Sequence, residues 1–201
     1  MELSQARTVK IVGVLLLLAA ISQPIYTLLY QYAPEVDRKI LWGLEGLLFT
    51  LLAAFAGSAL VMAKRYTLGF SAIAFSAVLN VIQVGVGLTQ FGPAGAAAGA
   101  IPDFGAFAGG IFAFSFFSYN AAKILLGLAA IELGMGKMGR GNKALGGLTA
   151  LVGLVAFVTN TLAMMFGRSG LPDPLPMVAG ATGVVATLLL AICLFTLSRD
   201  D

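Results

Sequence analysis

Residues 175–197 read LPMVAGATGVVATLLLAICLFTL, an uninterrupted run with no Asp, Glu, Lys or Arg. At about 1.5 Å per residue, a helix of this length crosses the roughly 30 Å hydrocarbon core of a bilayer. An open strand would leave its backbone amides unpaired in lipid, so helix is the conformation available. Five further apolar runs precede this one. Spans are expected at Thr8–Tyr30, Lys39–Ala63, Tyr66–Gln90, Phe107–Leu133, Ala144–Phe166 and Leu175–Leu197. The fold class read from them is an all-α integral membrane protein, a six-transmembrane-helix bundle forming a single polytopic membrane domain over residues 1–201.

Composition agrees. The 201 residues are 59% hydrophobic and 10% charged, with a mean hydropathy of +0.96. A soluble domain carries about a quarter charged residues. The beginning resembles a signal peptide, with Arg7 and Lys10 before an apolar run, but the apolar character continues through Leu28 and Leu29. That exceeds a usual signal core, so the segment is expected to be the first span.

Orientation follows from the basic residues. Arg7, Lys10, Lys64, Arg65, Lys137, Arg140, Lys143 and Arg199 fall on one side, and Arg38, Lys39 and Arg168 on the other. This asymmetry predicts both termini in the cytoplasm (N-in/C-in) of a plasma or inner membrane. Tyr26, Tyr30, Tyr32 and Trp42 cluster at the outer boundary, as an aromatic belt does.

Several functions are disfavoured. The chain has no histidine and one cysteine, Cys193, which removes the commonest metal and haem ligands and the commonest general base. No cofactor, metal site, catalytic set or nucleic-acid partner is expected. The string 134–139, GMGKMG, has the letters of a dinucleotide fingerprint but follows a membrane helix and has no βαβ unit around it; it is expected to form a flexible basic turn beside lipid headgroups. The methionines read as apolar packing.

Few residues are chemically out of place. Lys123 lies about 15 Å deep in span 4 if that span ends at Leu133, where a lysine costs at least about 2.5 kcal/mol. It is expected to face the bundle interior, with Asn120 and Tyr119 on its side of the helix, and to anchor an anion or solute, or else pair with a carboxylate or reach toward Glu132. Glu45, Gln23, Gln83 and Asn160 fall at comparable outer-half depths of four spans, which suggests a cavity open to the outside; the alternative is hydrogen-bond glue between helices. By helical rise Glu45 and Lys123 should differ in depth by more than about 10 Å, unless tilt or the long lysine stem closes the gap. A polar path from Glu45 through Asn80 and Asn120 to Lys123 is the more natural connection. The candidate substrate-binding residues are therefore Glu45, Gln83, Asn120, Lys123, Asn160 and Tyr119.

Residues 92–105, GPAGAAAGAIPDFG, are expected to form a loose outer loop, or a re-entrant or partner-covered segment. Ala53 with Gly57 and Ala179 with Gly183 are small-xxx-small pairs that permit close helix approach. Spans 2–3 and 4–5 share a basic link followed by an Asn, at 80 and 160, consistent with a hairpin repeat or with chance.

In length, span count and orientation the chain resembles the substrate-binding components of energy-coupling-factor vitamin transporters. Span 1 has Ala19 and Ala20 without their Ala-x-x-x-Ala spacing, and no family is assigned on that basis. Two functions are carried forward. One is binding or transport of a small solute through an outward-facing polar pocket. The other is a non-catalytic integral subunit that packs in the bilayer against other membrane subunits or copies of itself.

Overall fold

A computed structural model describes residues 4–33, 35–101, 103–167 and 170–197. Arg168 and Arg199, which enter the charge count, and Pro102 lie outside the described residues. The chain forms six helices: α1 Gln5–Tyr32, α2 Lys39–Met62, α3 Thr67–Ala100, α4 Phe104–Gly139, α5 Lys143–Phe166 and α6 Leu175–Leu197. All six are long and apolar enough to cross a membrane. The end of the bundle where α1 begins is called its base, and the end carrying the α1–α2, α3–α4 and α5–α6 turns its crown.

Helices α1, α2, α3, α4 and α6 pack each on the next, with α6 returning to α1, and α5 lies against α4 and α6. The base half of this ring is filled by Val12, Leu16, Leu52, Ile73, Leu126, Leu133, Leu190 and Leu194, all fully or almost fully buried. Leu18, Ile21, Leu44, Leu51, Phe75 and Ile82 face outward, as a bilayer solvent permits.

Two boundaries differ from the sequence expectation, both at the ends of α3 and α4. Residues 92–100 are not a loop: α3 continues through Gly92 and Pro93 to Ala100, and the connection shrinks to residues 101–103. Proline tolerated within a membrane helix and the five Ala residues among 94–100 explain the continuation. Residues 134–139 are not a flexible turn either, because α4 stays helical to Gly139. Gly134 and Gly136 serve close packing instead.

That packing is an antiparallel seam between α4 and α5. A Cβ built on Gly127 would sit 2.8 Å from the Gly153 carbonyl oxygen, and one on Gly134 would sit 2.7 Å from that of Gly146. Both helices place these glycines seven residues apart, so the same face recurs every two turns. Ala130, Ala156 and Ala186 fill the junction of α4, α5 and α6. Of the two small-residue pairs noted in the sequence, Ala179 and Gly183 are buried between helices, whereas a Cβ on Gly57 would meet nothing within 4 Å.

At the base, α4 caps α3. The backbone N–H of Gly69, in the first turn of α3, donates to Glu132 Oε2, which sets a carboxylate at the positive end of a helix dipole. Tyr66 precedes the helix with φ 61°. Its ring packs against Gly136, and the Arg140 guanidinium lies 5.5 Å from the ring centroid.

Candidate functional site

Lys123 is wholly buried in the middle of α4. Its stem runs along α6 at Gly183, where a Cβ would come within 2.9 Å of Lys123 Cδ. The ammonium therefore crosses the bundle rather than descending toward Glu132. Nζ donates to Gln23 Oε1 at 2.8 Å and lies 5.2 Å from the centroid of the Tyr119 ring. Gln23 belongs to α1, whose backbone has no contact with that of α4 among the described residues. The length of the lysine stem closes this gap.

Glu45, on α2, is also buried. Its Oε1 accepts from the Ser22 hydroxyl at 2.7 Å. Ser22 and Gln23 are consecutive in α1, so one turn of α1 holds the anion with one residue and the cation with the next. The two charges act on each other electrostatically, but each ends on α1 rather than on the other. Pro24 follows immediately; lacking an N–H, it frees the Ala20 carbonyl and weakens the helix at this layer.

The expected depth gap between Glu45 and Lys123 is corrected by the length of α4. Helix α4 ends at Gly139, six residues beyond Leu133, which moves Lys123 about 9 Å farther from the base. Counted from the base ends of their helices, Gln23 is eighteen residues up, Glu45 seventeen and Lys123 sixteen. Their polar ends meet at one turn of α1.

The asparagines reach this level through helix register. The glycine seam sets Asn160 of α5 opposite Asn120 of α4. The Gly69–Glu132 and Phe91–Phe112 contacts set Asn80 of α3 near Ala122. Asn120 is buried beside Lys123 on α4. Asn80 donates to the Ser76 carbonyl at 2.9 Å, and Asn160 to those of Ala156 and Ala179 at 2.8 and 3.0 Å. The Oδ1 atoms of both are buried without a hydrogen-bond partner. Gln83 is half-buried on α3, about a turn nearer the crown than Asn80. Of the candidate residues, Glu45, Lys123 and Tyr119 converge with Gln23 and Ser22, while Asn160 is bonded along the α5–α6 contact.

A row of aromatic rings roofs this layer. Tyr26 stacks on Trp42 with centroids 5.3 Å apart and an interplanar angle of 17°. Trp42 meets Phe91 at 5.5 Å, and Phe91 meets Phe112 at 4.6 Å. One ring comes from each of α1, α2, α3 and α4. Tyr26 stands one turn crownward of Ser22, and Trp42 one turn crownward of Glu45. Gly87 leaves the space the indole occupies. The Arg38 guanidinium lies over Tyr26 and Tyr30, at 5.7 and 5.2 Å. Tyr26 and Trp42 are thus packed against each other at the mouth of the bundle, while Tyr30 and Tyr32 are exposed.

Sequence reasoning missed Ser22, one of several span hydroxyls with nothing local to mark it. Among the described residues no group of three His, Cys, Asp or Glu side chains gathers as metal ligands would. Compared with protein-family models, curated proteins and solved structures, the chain matches none.

Proposed function

We propose that this chain binds a small polar solute at the Gln23–Glu45–Lys123 layer and passes it across the membrane, without chemical catalysis. The observation that carries this reading is the Lys123 ammonium, fully buried at mid-bundle with one neutral hydrogen-bond acceptor and no direct ion pair among the described residues. Such a charge is expensive to hold in a membrane protein and is a poor source of stability. The basic residues orient the crown outward, with both termini in the cytoplasm of a plasma or inner membrane. The solute then enters past the Tyr26–Trp42–Phe91–Phe112 row, and Pro24 and Pro93 give α1 and α3 points at which their crown ends swing. The test is uptake by liposomes containing purified wild type or Lys123→Met, over a panel of amino acids, carboxylates, amines, sugars and nucleosides. Wild type takes up at least one class and the variant does not; uptake that survives the substitution contradicts the proposal.

A second reading, a non-catalytic subunit of a larger membrane assembly, has its own support in the α3–α4 hairpin. α3 runs nine residues past Phe91 to Ala100. A Cβ on Gly92, Gly95, Gly99, Gly105, Gly109 or Gly110 would meet no atom within 4 Å. Small residues permit close approach where another backbone arrives, and at these six glycines no described residue of this chain does.

A further inference from the structure

Resting on the solute-binding reading above, we infer that the solute is a zwitterion: a small amino acid carrying both a free ammonium and a free carboxylate, with an apolar substituent. The layer contains one buried cation and one buried anion that are not spent on each other. Lys123 has three N–H donors and Gln23 takes one. Glu45 has two carboxylate oxygens and Ser22 donates to Oε1. Two donors and one oxygen of opposite charge therefore remain where both side chains end on one turn of α1, the oxygen on α2 beside it and the donors on α4 across the bundle.

Charge balance selects among ligands. A simple carboxylate bound to Lys123 meets the field of Glu45 and leaves that anion uncompensated. A simple amine bound to Glu45 meets Lys123 in the same way. Each arrangement strands one charge in a low-dielectric interior. A zwitterion answers both, its carboxylate on Lys123 and its ammonium on Glu45, and adds no net charge to the layer. Metal cations are repelled by the same ammonium. One turn crownward, the stacked rings of Tyr26 and Trp42 offer an apolar surface to the substituent on the amino-acid carbon.

The experiment uses the full chain in lipid nanodiscs and two matched sets of probes. One is leucine, 4-methylpentanoate and 3-methylbutylamine; the other is alanine, propanoate and ethylamine. Binding is read by calorimetric titration. In at least one set the amino acid binds roughly tenfold or more tighter than its amine-less and carboxylate-less partners. Glu45→Gln narrows that gap by letting the carboxylate probe bind nearly as well as the amino acid, and Lys123→Met weakens the amino acid roughly tenfold or more. A carboxylate or amine bound by wild type as tightly as its amino acid overturns the zwitterion assignment and leaves solute binding standing. So does binding of a sugar or nucleoside with none of the six probes bound. No binding of any probe or panel member overturns both readings. The wild-type comparison decides by itself if a variant does not fold.

Discussion

Lys123 Nζ and Gln23 Oε1 meet at 2.8 Å across the interior of the bundle, joining two helices whose backbones do not touch. Glu45 reaches the neighbouring Ser22 from the other side. One turn of α1 therefore receives two opposite charges on consecutive residues rather than on each other. The solute-binding account rests on that separation.

Removing the acceptor tests how the lysine is held. Gln23→Leu leaves a buried ammonium without its hydrogen bond and is expected to cost about 2–3 kcal/mol of stability. Adding Lys123→Met to it restores much of that loss, because the charge is gone. A double-mutant cycle on thermal or denaturant unfolding reads the coupling, and simple additivity contradicts the bond.

The seam glycines and the hairpin glycines should respond oppositely to the same methyl group. Gly134→Ala drives a Cβ into the α5 backbone, with an expected loss of about 1–3 kcal/mol. Gly99→Ala meets open space and should gain up to about 1 kcal/mol from helix propensity. If Gly99→Ala instead lowers the yield of an assembled complex while the isolated chain is unharmed, another subunit covers the hairpin.

Trp42 is the only tryptophan of the chain and sits in the aromatic row. Its emission is a direct report on the crown. A bound solute is expected to shift Trp42 fluorescence, and Phe91→Ala to alter the resting spectrum without abolishing folding. A spectrum unmoved by a solute that binds by calorimetry removes the row from the entry path.

Topology is tested with single cysteines at exposed positions. Native Cys193 is buried and gives a low background. Cysteine at Lys64, at the base, should react in intact cells with a membrane-permeant reagent alone, and cysteine at Asp37 or Asp173, at the crown, with an impermeant one as well. Impermeant labelling at position 64 reverses the orientation.

The six helices were legible in the sequence because each apolar run matches the bilayer thickness and is bounded by charge, Gly or Pro. The ends of α3 and α4 were not, because Gly and Pro at 92–93 and Gly at 134–139 carry a loop signal in water that a membrane helix tolerates, with close packing at Gly134 and Gly136 adding to it. That misplaced end made Lys123 look too near the base and hid that it and Glu45 end on one turn of α1. Lys123 itself stood out, since a lysine inside an apolar run is costly wherever it points. Gln23 was legible only as one of four polar residues in the outer half, and Ser22 not at all, because their roles appear only when α1 comes to lie across from α4 and beside α2.

The most direct test of the account is the thermal unfolding midpoint of wild type and Lys123→Met, each with and without the solute panel. The account predicts that at least one solute raises the wild-type midpoint, that the unliganded variant unfolds at or above the wild-type temperature because a buried charge has been replaced by an apolar stem, and that no solute raises the variant's midpoint. A variant that unfolds well below wild type, together with a wild type that responds to nothing in the panel, makes Lys123 a structural strut between α4 and α1 and contradicts the account.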